Sequence, residues 1–279
     1  MVQPRRCLGS YWSGLAHAYA SLGPPLRPSP EEIGLLEQTV ADWASHHPRT
    51  PLRAILLGVT PDIVRMRWPP ASRLLAVDRS IEMVQAVWPG DIPEQREVVC
   101  GDWLTLPQKD RSCDIVVGDG SINCLRYPDG FRMLARQVSR VLRDDGIFVS
   151  RCYIQPTVLE QPERVFASIL DSLSFHHFKF RLLMAMQPGV RQGVAVNDVY
   201  RFWAAQNVDV DSLVSRTGWD RSAIEMMDLY RDARTIHTFP AWGELQPALL
   251  QFFDQVSVSD MTGCCPIAVL RPRRDGVAG

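Results

Sequence analysis

Between residues 52 and 152 the chain repeats one pattern five times: a short run of apolar residues, a polar turn, then most often a helical stretch. The runs fall at 52–57, 73–77, 98–100, 113–117 and 146–152, with helices expected at 61–67, 81–87 and 128–142. Runs so short and so uniformly apolar are buried on both faces, which calls for a parallel sheet covered by helices. Such open sheets bind ligands in the crevice beyond the carboxyl ends of their strands. Gly58, Asp78, Asp102 and Asp119 stand at those ends, so residues far apart in sequence converge on one crevice.

Before this core, residues 11–22 read as a helix stopped by Gly23-Pro24-Pro25. Ser29-Pro30-Glu31-Glu32 opens another, with Ser as N-cap, Pro in the first turn and acids at the positive end of the helix dipole. After the core, residues 155–250 read as helices, including 162–173, 195–205 and 220–230, too long for a loop and so a cap. Runs at 252–258 and 267–270, joined through Gly263, predict an antiparallel hairpin. The expected fold is α/β: a Rossmann-like, seven-stranded, mostly parallel sheet with an antiparallel terminal hairpin, N-terminal helices, and a helical insertion before the last two strands.

Composition narrows the function. With 46% hydrophobic and 22% charged residues the chain can bury a sizeable core. Thirty Lys+Arg against 31 Asp+Glu leave a net charge of −1, which argues against a bulk nucleic-acid-binding field. No apolar run approaches the roughly 18 residues that cross a bilayer, and Arg5-Arg6 is not followed by the apolar stretch of a signal peptide. A cytoplasmic protein without a membrane partner is expected. The seven cysteines include no C-x-x-C pair, and the His46-His47 and His176-His177 doublets lack nearby ligands, so no metal site is expected.

The strand ends carry the chemistry. Asp78 follows Gly58 by twenty residues (78 − 58), the spacing at which an acid meets a ribose diol in nucleoside-binding sheets. Asp102, one strand over and followed by Trp103, suits an adenine bonded at its amine and packed on an aromatic surface. Met83 adds apolar contact. Gly58-Val59-Thr60-Pro61 turns the first strand into its helix, with Thr60 as cap, and Gly118-Asp119-Gly120 allows close approach beyond the fourth. Two acids in this order point to S-adenosylmethionine (SAM), whose product is S-adenosylhomocysteine (SAH).

Residues from about 50 to 152 resemble a class I SAM-dependent methyltransferase. Asp78, Ser80 and Met83 are similar to its second-strand motif, Gly101-Asp102-Trp103 to its adenine motif, and residues 140–149 to the helix-turn-strand leading into its fifth strand. The first motif departs from the pattern: Leu56 stands where the family has an acid, and of several glycines Gly58 alone remains. The loss disfavours NAD, whose pyrophosphate needs a glycine-rich turn, more than it disfavours SAM.

The resemblance implies residues 1–50 as a segment covering the cofactor site, 51–154 as the SAM-binding core, 155–250 as a substrate cap and 251–279 as the hairpin completing the sheet. Cofactor-binding residues are then Gly58, Val59, Thr60, Asp78, Arg79, Met83, Gly101, Asp102, Trp103, Asp119 and Gly120, with Tyr19 shielding the sulfonium and Arg27 on the methionine carboxylate. Asp119 and His237 are the candidate catalytic bases. The inserted cap favours a small-molecule acceptor, methylated on O or N rather than C. A catalytically silent SAM-binding regulatory or scaffold protein is the alternative, made credible by the altered first motif. Oligomeric state is left open.

Overall fold

The computed structural model describes residues 11–259 and 265–274. Five strands pair in parallel: β1 (Arg53–Leu57), β2 (Arg73–Asp78), β3 (Arg96–Cys100), β4 (Cys113–Asp119) and β5 (Leu142–Arg151). Two short strands, β6 (Val194–Ala195) and β7 (Ile236–His237), pair with each other in the cap. β8 (Phe253–Val258) and β9 (Ile267–Pro272) close the main sheet antiparallel, giving the order β3-β2-β1-β4-β5-β9-β8. The expected seven-stranded, mostly parallel sheet is thus present, although the Gly263 turn lies outside the described residues.

The helices are α1 (Tyr11–His17), α2 (Pro30–His46), α3 (Pro61–Arg65), α4 (Ile81–Val87), α5 (Asp129–Val141), α6 (Pro162–Ala167), α7 (Phe175–Ala185), α8 (Val196–Ala205), α9 (Val210–Thr217), α10 (Arg221–Glu225) and α11 (Trp242–Leu249). α2 begins where its caps dictate: the Glu32 amide donates to Ser29 Oγ at 3.2 Å and the Ser29 amide donates to Glu32 Oε2 at 2.7 Å. α5 turns Phe131, Leu134, Ala135 and Val138 onto one face of the sheet, where α11 joins it. α2, α3 and α4 cover the other face through Leu36, Val40, Ile63 and Met83. With both faces covered, β1 and β4 are almost wholly apolar and buried, while β3, at the edge, is only partly so.

The cap has its own core, centred on Phe175, Phe178, Phe180, Val199 and Phe239. Several elements differ from expectation. The first helix stops at His17 and gives way to a 3₁₀ turn at Tyr19–Ser21, and the stretches at 162–173 and 220–230 each finish as 3₁₀ turns. β5 starts at Leu142, four residues before the expected 146. α7, α9, α11 and the β6–β7 pair are elements the sequence did not announce.

Candidate functional site

The crevice at the carboxyl ends of the strands is built from the turns the chain makes there. Gly58 leaves β1 at φ +108°, a conformation open to glycine, and brings its Cα beside Asp78 and Trp103. Ser80 caps α4 by accepting from the Met83 amide at 3.3 Å, which releases Asp78 from that task. Asp78 Oδ1 accepts from the Ser80 amide at 2.8 Å, and Oδ2 has no hydrogen bond to any described residue. Burial pushes this carboxyl up to about 6, against the pull of the Ser80 amide. A buried acid with one unused oxygen at a strand tip is what a ribose diol requires.

Asp102 accepts from the Leu104 amide at 2.9 Å through Oδ1 and stays exposed. Trp103 folds back: its indole N–H donates to the Val77 carbonyl at 2.5 Å, and Cζ2 lies 3.9 Å from where a Cβ on Gly58 would stand. Asp78 and Asp102 thus stand at neighbouring strand tips, the first buried and the second exposed. The Trp103 ring and Asp78 Oδ2 both stand 3.9 Å from where a Cβ on Gly58 would be, so the indole crowds this corner of the crevice. Leu56, where the resemblance expects an acid, is fully buried in the sheet core and carries nothing for an amino group.

Asp119, at the tip of β4, is fastened rather than free. Arg151 Nη1 donates to its Oδ1 at 2.8 Å and Thr60 Oγ1 to its Oδ2 at 3.2 Å. Burial pushes its carboxyl up from the ordinary aspartate range, against the pull of Arg151. The same buried guanidinium donates to Glu32 on α2 at 2.7 Å and to the Pro25 carbonyl at 2.8 Å, tying the N-terminal segment to the sheet. Thr60 thus serves Asp119 and gives no side-chain cap to α3, contrary to expectation.

Across the crevice lies the cap. A cavity of about 160 Å³ runs from Gly58, Asp78, Met83 and Trp103 to Lys179, Phe180, Tyr230 and His237, with Tyr11 and Tyr19 of the N-terminal segment along one side. The Tyr11 hydroxyl lies 3.5 Å from His237 Nε2. Burial pulls the His237 imidazole down to about 4, so the ring is neutral near pH 7. Lys179 is 2% exposed, and burial pulls its ammonium down to about 8. Its Nζ stands 5.3 Å from the Tyr230 ring centroid.

Of the residues expected from sequence, Gly58, Val59, Thr60, Asp78, Met83, Trp103, Asp119, Gly120, Tyr19 and His237 line this cavity. Arg79, Gly101 and Asp102 lie outside it. So does Arg27, whose guanidinium is engaged by Asp62 at 2.7 and 3.0 Å and stacks over Tyr19 at 5.2 Å. The expected carboxylate contact is therefore replaced by an internal ion pair. Tyr11 belongs to the segment expected to cover the site; Asn123, Tyr153, Lys179, Phe180 and Tyr230 were not singled out for it. The cap aromatics Tyr200, Phe202, Trp203, Trp219 and Trp242 do not reach the cavity. Among the described residues no group of His, Cys, Asp or Glu is arranged to hold a metal ion, and no helix is long and apolar enough to cross a membrane.

The methyltransferase domain family matches residues 59–150, the stretch from the end of β1 through β5. No curated protein matches the chain. In structure it is similar to the PH0226 protein of Pyrococcus horikoshii OT3, at 12% identity over 91% of this chain and 98% of that one, with a TM-score of 0.51. It is also similar to a Rhodobacter sphaeroides protein named for Zn-dependent alcohol dehydrogenases, at 10% identity over 95% and 97%, TM-score 0.57. The N-methyltransferase NodS of Bradyrhizobium japonicum WM9, solved with SAH, aligns at 11% identity over 95% and 99%, TM-score 0.48. At these identities the structural likeness is one of fold.

Proposed function

We infer that this chain, which carries a SAM-dependent methyltransferase domain over residues 59–150, transfers the methyl group to a small-molecule acceptor at oxygen or nitrogen. The observation that supports the small acceptor is the enclosure of the cavity: strand tips, N-terminal aromatics and cap helices wall it on three sides. A nucleic acid or protein chain would need an open groove instead.

SAM, when bound, supplies a methyl activated on a sulfonium. The rest is positioning by the chain. Asp78 accepts the ribose hydroxyls through its unused oxygen, Asp102 takes the adenine amine, and Met83 and Trp103 flank the base. Tyr11, Tyr19, Phe180 and Tyr230 exclude water, which sharpens alignment and electrostatics in the closed site. Arg151 holds Asp119 in an ion pair, so the proton of a hydroxyl or amine acceptor goes to neutral His237, which Tyr11 orients. A base held this low serves acceptors that are already acidic.

Calorimetric titration of the full chain with SAM and SAH, repeated on Asp78→Ala, tests the reading. Micromolar binding that falls at least tenfold in the variant supports it, and no binding by the folded wild type overturns it. Leu56 in the acid position and the Trp103 ring against Gly58 favour one second reading, a silent SAM-binding protein. That reading requires SAH binding without transfer of label from SAM to any compound in a metabolite extract.

A further inference from the structure

Lys179 is the one lysine that the cap buries against the cavity, and nothing in the described part of the chain neutralises it. It is 2% exposed, lines the cavity, and no carboxylate of the described residues lies within ion-pair distance of its Nζ. The groups around it are Tyr230, 5.3 Å from Nζ to ring centroid, and the His176 and His237 imidazoles, whose protonated forms its charge disfavours. Two neutral imidazoles and an aromatic face do not offset a buried ammonium. A group left so is completed by an anion arriving from outside.

Its position assigns that anion to one side of the cavity. The strand-tip acids Asp78 and Asp119 are on the sheet side. Tyr153 links the two sides, its ring pressed against Gly120, where a Cβ would come within 2.4 Å, and packed edge-on against Phe180 at 5.0 Å. Lys179 precedes Phe180 on α7 and so enters the cavity from the cap. The walls there are aromatic: Tyr11, Phe180, Tyr230 and Phe239.

We propose that Lys179 is the anion-binding group of the acceptor pocket and that the acceptor is an aromatic carboxylate, its ring held among the cap aromatics and its carboxylate paired with Nζ. The proposal rests on the function inferred above for its acceptor role, whereas the anion site itself does not need it. Discrimination comes from both parts: a neutral ring leaves the ammonium unpaired, and a flexible aliphatic acid leaves the aromatic walls uncovered.

The test is an NMR titration of the full chain with benzoate and with benzamide, each with and without saturating SAH, on the wild type, Lys179→Met and Lys179→Arg. The expected result is benzoate binding at least tenfold tighter than benzamide, the preference lost in Lys179→Met, restored in part by Lys179→Arg, and SAH affinity within twofold of wild type in both. Equal affinity for benzoate and benzamide in the wild type, which needs no variant to fold, overturns the proposal. A tenfold loss of SAH affinity in Lys179→Met also overturns it, by giving the lysine to the cofactor carboxylate. Benzoate preference in a chain that does not bind SAH retains the anion site and removes the methyltransferase reading, so the two fail separately.

Discussion

At Asp78, folding and binding ask for different protonation states. Burial lifts the carboxyl from 3.8 to about 6, so the folded chain holds a proton there that the unfolded chain releases. A raised folded pKa gives stability that is present below about 4 and lost as pH rises through about 6. The shift of about 2 units corresponds to about 3 kcal/mol lost by neutral pH. Asp78→Asn removes the buried charge while keeping the side chain's shape, so its Tm at pH 7.5 is expected above wild type, as differential scanning calorimetry would show. Its SAH affinity is expected to fall at least tenfold, because the amide oxygen stays with the Ser80 N–H and an NH2 group, a donor, then faces the ribose hydroxyls. The ionised carboxylate is the better acceptor, so wild-type SAH affinity should weaken as pH drops from 7.5 to 5. In Asp78→Asn it should stay flat, and a wild type with flat affinity would remove Asp78 from the nucleoside site.

Among the elements, one buried side chain ties the N-terminal segment to the strand tips. Arg151, at the end of β5, bridges Glu32 on α2, Asp119 at the tip of β4 and the Pro25 carbonyl. Arg151→Met leaves Asp119 buried with Thr60 as its remaining partner, a change worth roughly 3–5 kcal/mol. A Tm about 10 °C lower is expected for a chain of this size, with partial recovery in Arg151→Met/Asp119→Asn; no recovery would deny that the unpaired acid is the cause. The strands and their acids were legible because a run such as 113–117 has one plausible environment, a doubly covered sheet. α7 was not. Phe175-His176-His177-Phe178-Lys179-Phe180 is buried almost all round, so it lacks the one-sided period by which a helix announces itself. Nothing in sequence distinguishes Lys179 from a surface lysine. Arg27 reads as a free cation until the fold sets it beside Asp62. α9 went unread although it is bounded by an Asp209 N-cap and by Gly218 at φ +69°.

For the molecule as a whole, the enclosure that suits a small acceptor also obstructs the cofactor. The cavity of about 160 Å³ is smaller than the roughly 300–1,000 Å³ of ligand pockets, with the Trp103 ring crowding its Gly58 corner and Tyr11, Trp12 and Tyr19 of the N-terminal segment lining it. The sheet cannot yield: its tips are fixed by parallel pairing and a core packed on both faces. The cap has an aromatic core of its own, on whose edge Tyr11 of α1 also packs. α1 is the short element, seven residues long, with only Tyr11 and Ala16 buried, and it packs on α4 and the 3₁₀ turn Met226–Tyr230. It is therefore the part expected to lift, with Trp103 turning beneath it. Hydrogen exchange of the full chain should find the amides of Tyr11–His17 exchanging orders of magnitude faster than those of β1 and β4, since local opening costs least where few apolar contacts hold. Saturating SAH should slow exchange in α1 and leave the sheet unchanged. Slowing confined to α7 and α8 would instead make the cap the moving part.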